Sequence, residues 1–448
     1  MAGKMSVGRK IGYGLGDFGL GLLFLTASQF LLFYYTDVLG LSPSLAGWVF
    51  GAAIVWDALI DPLMGALANR SHSRWGRYRP FLLFAAIPLA LSWALIFLPL
   101  GLSGWTLIAF ALGAHFLFRT VYTIAAMPYL ALSAAMTEDS GERSALAAFR
   151  LVFQAFAGVL AAFATLRLAA ALGDGQMGWF LVALIYGSAA AALLTIVFFS
   201  AREVSFGEGL KIRPTFGEMI RVLRANRPFW LVCGAFLIGS VGFVFFNKSL
   251  PYWVKYGMGI DNFGPFLGVL ALGITFTIPL WAWLTRRTSK RITFLAGTGI
   301  SFSACVGLWF APETQAGWMP FIALLGAGNG GVILPSWAMM PDTVEYGEFR
   351  TGTRGEGAAF GFVSFVQKAS LGLAAGALGE ALSLIGYRAN QAQTPETLAQ
   401  MKAMMLGVPA LFYLGAAAFI LFYPLDARTH GRLVKVLQRR RARAAAAQ

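Results

Sequence analysis

The sequence predicts an all-α membrane protein in which twelve helices cross the bilayer. Of its 448 residues, 58% are apolar and 12% are charged, and that charged share is about half of what is usual in soluble domains. The apolar residues fall into twelve long runs, and a membrane-spanning helix needs about 20 such residues. Because the runs are long rather than alternating, they argue against an outer-membrane barrel. The composition also argues against soluble enzymes and disordered chains.

The connecting segments alternate in charge along the chain. Residues 69–80, 201–228, 285–291 and the tail after Pro424 are basic, whereas residues 98–105, 172–179 and 311–318 are almost free of Lys and Arg. The positive-inside rule therefore places the basic segments and both termini in the cytoplasm, which requires an even number of spans. We place these spans at residues 12–38, 43–68, 80–101, 104–134, 145–172, 176–200, 229–256, 262–285, 291–311, 317–341, 357–386 and 403–424.

The longest polar stretch before the tail divides the spans into two groups of six. The predicted domains are an N-terminal six-helix bundle at 1–200, a cytoplasmic central loop at 201–228, a C-terminal six-helix bundle at 229–425 and a basic cytoplasmic tail at 426–448. We interpret the tail as a solvated helix near anionic lipid headgroups. The net charge of +15 then reflects orientation in the membrane, and we expect no nucleic-acid partner.

The two groups carry a weak internal repeat. Residues Pro62–Arg74 align without gaps on Pro279–Arg291, and both copies close a span and open a basic loop. Parallel halves around a central loop are typical of transporters whose two bundles rock around a central site. Cys233 and Cys305 lie inside apolar runs without metal or disulfide spacing, so we expect no structural metal and no cofactor. The first span is predicted to be retained rather than cleaved as a signal peptide.

The second span carries two carboxylates on one helix face. Asp57 and Asp61 are four residues apart, and an ionisable residue inside a span is costly unless it is paired or hydrated. Two such carboxylates repel each other unless a proton or a cation lies between them, which is what a coupling-ion site needs. The alternative is that each carboxylate pairs with its own structural cation.

The other charged residues within the spans are mostly cationic. Asp17 lies among glycines that allow close approach of a ligand or of another helix. His115, Arg119, Tyr122, Thr123 and Ala126 recur at helical spacing on the fourth span, and Arg150, Lys248 and Lys368 lie in the fifth, seventh and eleventh spans. Arg150 and Lys368 alternatively neutralise the span carboxylates, Lys248 snorkels to the outer interface, and His115 is a hydrogen-bonded core residue.

These residues lie within motifs that resemble a known family. The chain resembles, over nearly all its length, the glycoside–pentoside–hexuronide:cation symporters, the melibiose-permease group of the major facilitator superfamily. The motifs are Tyr13–Asp17, Phe33–Asp37, Trp56–Gly65, Ser73–Arg77, Met127–Tyr129, Glu142–Ser144 ahead of Arg150, and Pro341–Phe349. The resemblance implies twelve helices in two six-helix bundles of the inner membrane, with a central cavity open to one side at a time.

The resemblance also implies roles for individual residues. Asp57 and Asp61 match the family's cation-site acids and Thr123 its fourth-helix hydroxyl, so sodium, lithium or a proton would bind there. The two acids would be metal ligands only if that ion is sodium or lithium. Lys368 matches the lysine beside the cation site and Arg150 the arginine that helps to hold the sugar. From their position and charge, we further hypothesise that Arg150 and Lys368 couple the two sites by exchanging partners when the cation site fills.

The sequence departs from the family pattern in the substrate site and beside the cation site. Ile60 replaces a common Asn next to the second acid, which disfavours sodium and favours a proton. Gly21 and Ala126 replace the acids that hold a galactoside, and Leu130 and Ile333 replace two Trp residues. Melibiose-type recognition is therefore not expected. The loop signature differs as well, with Asn69 where an acid is usual.

We expect the remaining charges to select an acidic solute. Arg prefers the planar geometry of carboxylate or phosphate, so the predicted substrate site consists of Asp17, Arg119, Tyr122, Arg150, Lys248 and Lys368. The first expectation is a monomeric symporter of a hexuronide-type glycoside. The alternatives are a carrier of a lysophospholipid or another anionic amphiphile, and a membrane sensor or scaffold without transport. An enzyme is not expected, because no nucleophile–base pair or phosphate loop is present.

Overall fold

The fold is known from a computed structural model. It describes residues 5–425, except residues 72, 138, 174, 205–222, 225 and 353–355, together with residues 429, 431–433 and 435–439. Most of the predicted central loop and much of the tail therefore lie outside the described residues, as does the side chain of Asn69.

Twelve helices in the described part of the chain are long and apolar enough to cross a membrane, which confirms the predicted fold class. They are α1 Val7–Phe33, α2 Pro43–Arg70, α3 Arg79–Ile96, α4 Gly104–Met136, α5 Ser140–Ala171, α6 Gly175–Ser200, α7 Arg227–Tyr252, α8 Gly264–Arg287, α9 Lys290–Phe310, α10 Gln315–Thr351, α11 Glu356–Leu384 and α12 Pro395–Leu421. Large apolar side chains such as Phe84, Phe276 and Phe310 remain exposed, as expected for helices that face lipid.

Two helices extend well beyond the predicted spans. Helix α10 continues past Pro341 to Thr351. Proline can bend a helix without ending it, and the residues that follow Pro341 are polar. Helix α12 begins at Pro395, where proline fits the first turn and the Thr394 hydroxyl accepts the backbone N–H of Thr397 at 3.2 Å. The apolar pattern misses both extensions, since polar and charged residues interrupt the apolar run in each of them.

Helices α1 and α7 end in the same unusual way. Each continues into one π-helical turn, Tyr34–Val38 and Trp253–Gly257, and each turn is followed by a glycine at positive φ, Gly40 at 78° and Gly259 at 68°. The two endings are 219 residues apart and occupy equivalent places in the two groups of six helices. The positive-inside rule predicts that this end of the helices is not cytoplasmic, and we call it the outer end.

The chain divides into two compact units. The first comprises Met1–Glu208, Asn247–Ala271 and Ala375–Met401, so α1–α6 share a unit with the outer ends of α7, α8, α11 and α12. A Cβ on Gly47 would meet the backbone of Ala375, and one on Gly379 would meet that of Pro43, so glycine permits this close helix packing. The predicted domain boundary lies at the central loop, whereas the contacts of Gly47 and Gly379 join α2 to α11 across that boundary.

The second unit comprises Gly209–Phe246, Leu272–Ala374 and Lys402–Gln448. Its core includes Phe229, Phe236, Phe294, Met339 and Met340, all buried. Helices α9 and α10 pack so closely that a side chain on the glycines between them would collide with the facing backbone.

Candidate functional site

The acid pair of α2 meets one hydroxyl of α4. The Thr123 Oγ1 lies 2.9 Å from Asp57 Oδ1 and 3.1 Å from Asp61 Oδ1. Asp57 is 2% exposed, and Asp61 is half-buried. A threonine hydroxyl carries a single hydrogen, so it donates to one carboxylate at a time. A proton on one of the two carboxylates would turn the second short contact into a hydrogen bond donated to the Thr123 oxygen, so the arrangement is compatible with the predicted cation site.

A buried guanidinium lies beside the acid pair. Arg119, one turn before Thr123 on α4, is fully buried, and its Nη1 lies 3.9 Å from Asp57 Oδ2. Its Nε lies 3.3 Å from His115 Nε2, and the guanidinium lies 5.5 Å from the centre of the Phe24 ring. Neither Nη1 nor Nη2 has a hydrogen-bond partner among the described residues. Arg119 therefore balances part of the acid charge and keeps donors for another anion.

His115 and Lys248 extend this cationic cluster. His115 is fully buried, and because its Nε2 accepts from Arg119, its proton lies on Nδ1, which has no partner among the described residues. Lys248 is 2% exposed rather than snorkelling, donates from Nζ to the Ser28 carbonyl at 2.9 Å and lies 3.8 Å from the centre of the Phe50 ring. The three cationic or donor side chains are within electrostatic reach of each other.

Asp17 and Arg150 form a second charged group between α1 and α5. Arg150 donates to both Asp17 carboxylate oxygens, from Nε and from Nη2. Beside them, Tyr13 and Tyr129 exchange hydrogen bonds with each other's carbonyls at 3.0 and 2.8 Å, and their rings stack at 4.8 Å. Of the three span carboxylates, Asp17, Asp57 and Asp61, it is therefore Asp17 that Arg150 neutralises.

Aromatic side chains separate the two charged groups. The Tyr122 ring lies 5.9 Å from that of Phe24 and 5.8 Å from that of Phe118. Tyr122 is also close enough to Asp57 and Asp17 for electrostatic interaction. Tyr122 is therefore the predicted substrate residue that lies near both the Asp57 group and the Asp17 group.

The structure places eight of the nine predicted site residues within the first unit, in two clusters and one residue between them. One cluster contains Asp57, Asp61, Thr123, Arg119 and Lys248, and the other contains Asp17 and Arg150, with Tyr122 between them as an eighth member. Lys368 lies on α11 in the second unit and is half-buried, so its place beside the cation site stays a prediction.

A third charged group lies at the outer end, and the sequence did not identify it as a site. The Asp37 carboxylate accepts from Lys255 Nζ at 3.0 Å, from Tyr387 Oη at 2.8 Å and from the Tyr256 hydroxyl, while Asn390 Nδ2 donates to the Asp37 carbonyl at 2.7 Å. We call these five residues the outer latch. It ties the π-helical turn of α1 to that of α7 and to the α11–α12 connection.

Two sequence signals point to the outer latch. Asp37 belongs to the Phe33–Asp37 motif, and Lys255 lies four residues before Gly259, the counterpart of Gly40 in the first half. Each signal is weak alone, because a charge at a helix end is ordinary. Only the folded chain shows that both π-helical turns meet.

The comparisons with known proteins agree with this architecture. The family model for the MFS/sugar transport protein family matches residues 12–427. The chain is 31% identical to the uncharacterized symporter YnaJ of Bacillus subtilis over 98% of the chain and 96% of the relative. It is 29% identical to the glucuronide carrier protein homolog of Escherichia coli, over 96% of the chain and 95% of the relative. It is also 29% identical to the isoprimeverose transporter of Lactiplantibacillus pentosus, over 93% and 88%.

Solved structures share the fold at low sequence identity. The nucleoside transporter NupG, as its D323A mutant, superposes with a TM-score of 0.71 at 10% identity and covers 92% of this chain and 99% of its own. A bacterial homolog of the lysosomal transporter Spinster gives 0.69 at 14% identity over 95% and 97%. The match of the family model over residues 12–427, together with twelve spanning helices, shows that the chain belongs to the MFS/sugar transport protein family and is a multi-pass transporter of the bacterial inner membrane, not an enzyme.

Proposed function

We propose that this protein imports an acidic glycoside of the hexuronide type together with a proton, by alternating access. The observation that carries the proposal is the Arg119 guanidinium, which is fully buried beside the acid pair and has two terminal nitrogens without a hydrogen-bond partner among the described residues. Names of relatives agree with the class, since they include "Glucuronide carrier protein homolog" and "Putative glycoside/cation symporter YagG".

The charges around Thr123 favour uptake of one positive charge. Asp57 and Asp61 contribute two negative charges when ionised, and Arg119 compensates one of them at 3.9 Å. A proton or a monovalent cation between the two carboxylates lowers the repulsion between them, which is costly in a buried site of low dielectric constant.

The chemistry of the site favours a proton over sodium. A hard metal cation prefers a shell of several oxygen ligands. Here a carboxylate from each acid and one hydroxyl converge, while Ile60 offers no side-chain oxygen and a guanidinium approaches Asp57. A proton needs only the two carboxylates and the Thr123 hydroxyl.

The cationic cluster favours an anionic solute. Buried donors without partners carry a large desolvation cost, and Arg119 and His115 both have such donors among the described residues. A carboxylate would accept from both Arg119 terminal nitrogens in the bidentate geometry that Arg prefers. Hydroxyl groups of a sugar would find acceptors at Asp17 and an aromatic face at Tyr122.

Coupling follows if Arg119 is shared between the two ligands. When the acid pair takes up a proton, Asp57 attracts Arg119 less, and the guanidinium becomes available to the substrate carboxylate. Conversely, a bound carboxylate draws Arg119 away from Asp57, which raises the affinity of the acid pair for a proton. This reciprocity is the linkage that a symporter needs.

The outer latch supports alternating access. It ties the outer end of the first unit together through hydrogen bonds, beside aromatic contacts such as that of the Phe33 and Phe263 rings at 4.9 Å. Ser44 and the Trp48 indole add two hydrogen bonds to Glu380, at 2.6 and 2.8 Å. Such contacts can be broken and remade as the access side changes.

Uptake by sealed vesicles tests this proposal. Vesicles containing the protein receive radiolabelled methyl β-D-glucuronide and an inward proton gradient, with methyl β-D-glucoside as the neutral counterpart. We expect concentrative uptake of the glucuronide that collapses with a protonophore and does not depend on sodium. Asp57→Asn and Asp61→Asn should abolish accumulation.

The remaining outcomes separate the alternatives. Accumulation that survives both Asn variants contradicts the cation-site assignment, and dependence on sodium replaces the proton as the coupling ion. Preference for the glucoside contradicts the acidic substrate. Competition by lysophosphatidylglycerol but not by glucuronides would establish an amphiphile carrier instead.

A further inference from the structure

The outer end of the first unit contains a cavity of about 620 Å³ with several charged residues in its lining. Asp37, Lys255 and Asn390 of the outer latch line it, as do Arg167 of α5 and Asp261 of the α7–α8 connection. Ligand sites for small molecules commonly occupy 300–1,000 Å³. The cavity is therefore large enough for a monosaccharide, and the proposed transport site does not use it.

Its charged groups can engage a ligand. Arg167 and Asp261 are exposed, and the Arg167 guanidinium forms no hydrogen bond or ion pair with another described residue. Lys255 has three N–H donors, of which two bond Asp37 at 3.0 Å and Asn390 at 3.1 Å. A planar guanidinium, a third ammonium hydrogen and a carboxylate acceptor thus line one space.

This combination matches a small polyhydroxylated carboxylate. The carboxylate would pair with Arg167, which suits planar anions, and with the remaining Lys255 hydrogen. Sugar hydroxyls would donate to Asp261, whereas a neutral sugar would offer no anionic partner to Arg167. The buried Trp179 and Phe263 side chains form apolar walls.

The cavity also depends on closure of the outer end. Its walls come from α1, α5 and α6 on one side and from the α7–α8 and α11–α12 connections on the other, which the outer latch joins. If these segments separate, Arg167 and Lys255 no longer line one space. A ligand shifts a conformational equilibrium toward the state in which its site exists.

We infer that this cavity is a second, outward-facing site for an acidic monosaccharide, and that its occupancy holds the outer end closed and slows transport. The inference rests on the proposed function for the choice of an acidic sugar. High external concentrations of hexuronate should therefore inhibit import, because they stabilise the outer latch.

Thermal unfolding of the full chain in detergent tests the site independently of transport. The ligand is D-glucuronate, with D-glucose as the neutral control, and Arg119→Gln removes the proposed central site. We expect glucuronate to raise the Tm of Arg119→Gln. Adding Arg167→Gln should weaken this binding by about tenfold or more, since it removes a charged hydrogen bond. Adding Arg388→Gln, an exposed outer-end arginine that does not line the cavity, should leave it unchanged.

The outcomes distinguish the two proposals. A glucuronate effect that vanishes in Arg119→Gln alone overturns the outer site and leaves the central one. If Arg119→Gln leaves the glucuronate-induced rise in Tm unchanged and Arg167→Gln abolishes it, the result supports the outer site and contradicts the central one. If Arg119→Gln fails to fold, wild-type and Arg167→Gln titrations are compared, and identical curves overturn the outer site.

Initial uptake rates test the inhibition. Wild-type import should rise and then fall as external glucuronide increases, whereas Arg167→Gln should saturate without the fall and Arg388→Gln should behave as the wild type. A wild-type curve that saturates without decline overturns the inhibitory role.

Discussion

The Asp57 carboxylate and the Arg119 guanidinium lie 3.9 Å apart, too far for a hydrogen bond but close enough for strong attraction in a buried site. Both side chains are almost completely buried. The distance leaves each group able to take another partner, a proton or cation at Asp57 and an anion at Arg119. The pair therefore links the two proposed ligand sites.

The Thr123 hydroxyl should contribute to affinity for the coupling ion. Thr123→Val keeps the shape but removes the atom that contacts both carboxylates, so we expect the apparent affinity for the coupling proton to change by about tenfold. Thr123→Ser should retain most of the affinity. The measurement is uptake rate against external pH. The matched control on the same helix is Thr120→Val, which loses a hydrogen bond donated to the Phe116 carbonyl and one accepted from the Trp56 indole of α2. An equal effect there would point to helix packing.

Arg119 should determine the preference for acidic solutes. Arg119→Lys keeps a charge but loses the bidentate geometry, and Arg119→Gln loses both, so the glucuronide-to-glucoside ratio of affinities should fall by about tenfold or more in Gln and less in Lys. Competition binding measures this ratio, which is insensitive to a uniform loss of folded protein. An unchanged ratio in Arg119→Gln would remove Arg119 from the substrate site.

The outer latch should control access from outside. Asp37→Asn replaces a carboxylate that accepts from several donors by an amide with one acceptor oxygen, at a cost of about 3 kcal/mol for the broken charge pair. We expect a cysteine introduced at the buried Phe263 to react much faster with an impermeant maleimide added outside. Native Cys233 and Cys305 are buried and give little background. Glu396→Gln, an exposed acid of α12, should not change the rate, and slow labelling in Asp37→Asn would show that the latch does not hold this end closed.

Tyr387 gives the outer latch a defined dependence on pH. Burial, together with the adjacent Asp37 charge, raises the pKa of Tyr387 above its ordinary value of 10.0. The folded state therefore holds this proton longer than the unfolded state does, so its contribution to stability is complete below pH 10 and declines at higher pH. The Tm of Tyr387→Phe should fall less steeply above pH 10 than that of the wild type. Parallel profiles would contradict the assignment.

Glu203 should stabilise the end of the first unit that the positive-inside rule predicts to be cytoplasmic. Its carboxylate accepts the backbone N–H groups of Arg77, Tyr78 and Arg79 at 2.7, 2.8 and 2.9 Å. Glu203→Ala leaves these donors without the carboxylate, and we expect a loss of about 1–3 kcal/mol, seen as a lower Tm. Gly76→Ala should also lower the Tm, because Gly76 has φ of 111° and a Cβ there would meet the same carboxylate.

An exposed carboxylate provides a control for Glu203→Ala. Glu396→Ala removes an exposed carboxylate whose recorded partner is Gln400 at 3.5 Å, so it should change the Tm little. Equal losses in Glu203→Ala and Glu396→Ala would show that the three backbone hydrogen bonds add no net stability.

Most of the membrane architecture could be predicted from the sequence, because hydrophobic length is a local property. Twelve apolar runs predicted twelve spanning helices, and helical spacing placed Asp57 and Asp61 on one face and Arg119 one turn from Thr123. The polar ends of α10 and α12 were missed, since residues outside the bilayer carry no hydropathy signal. The sequence does not determine which carboxylate Arg150 neutralises, because spacing along one helix says nothing about the facing helix.

The sequence by itself determined the class of protein, its spans and the residue types that an ion-coupled site needs. Only the tertiary structure decided the partners: Asp17 for Arg150, Asp57 for Arg119, and the outer latch that joins Asp37 to residues more than 200 positions away. The physical reason is that burial in lipid can be read from a single segment, whereas an ion pair depends on the packing of two helices distant in sequence.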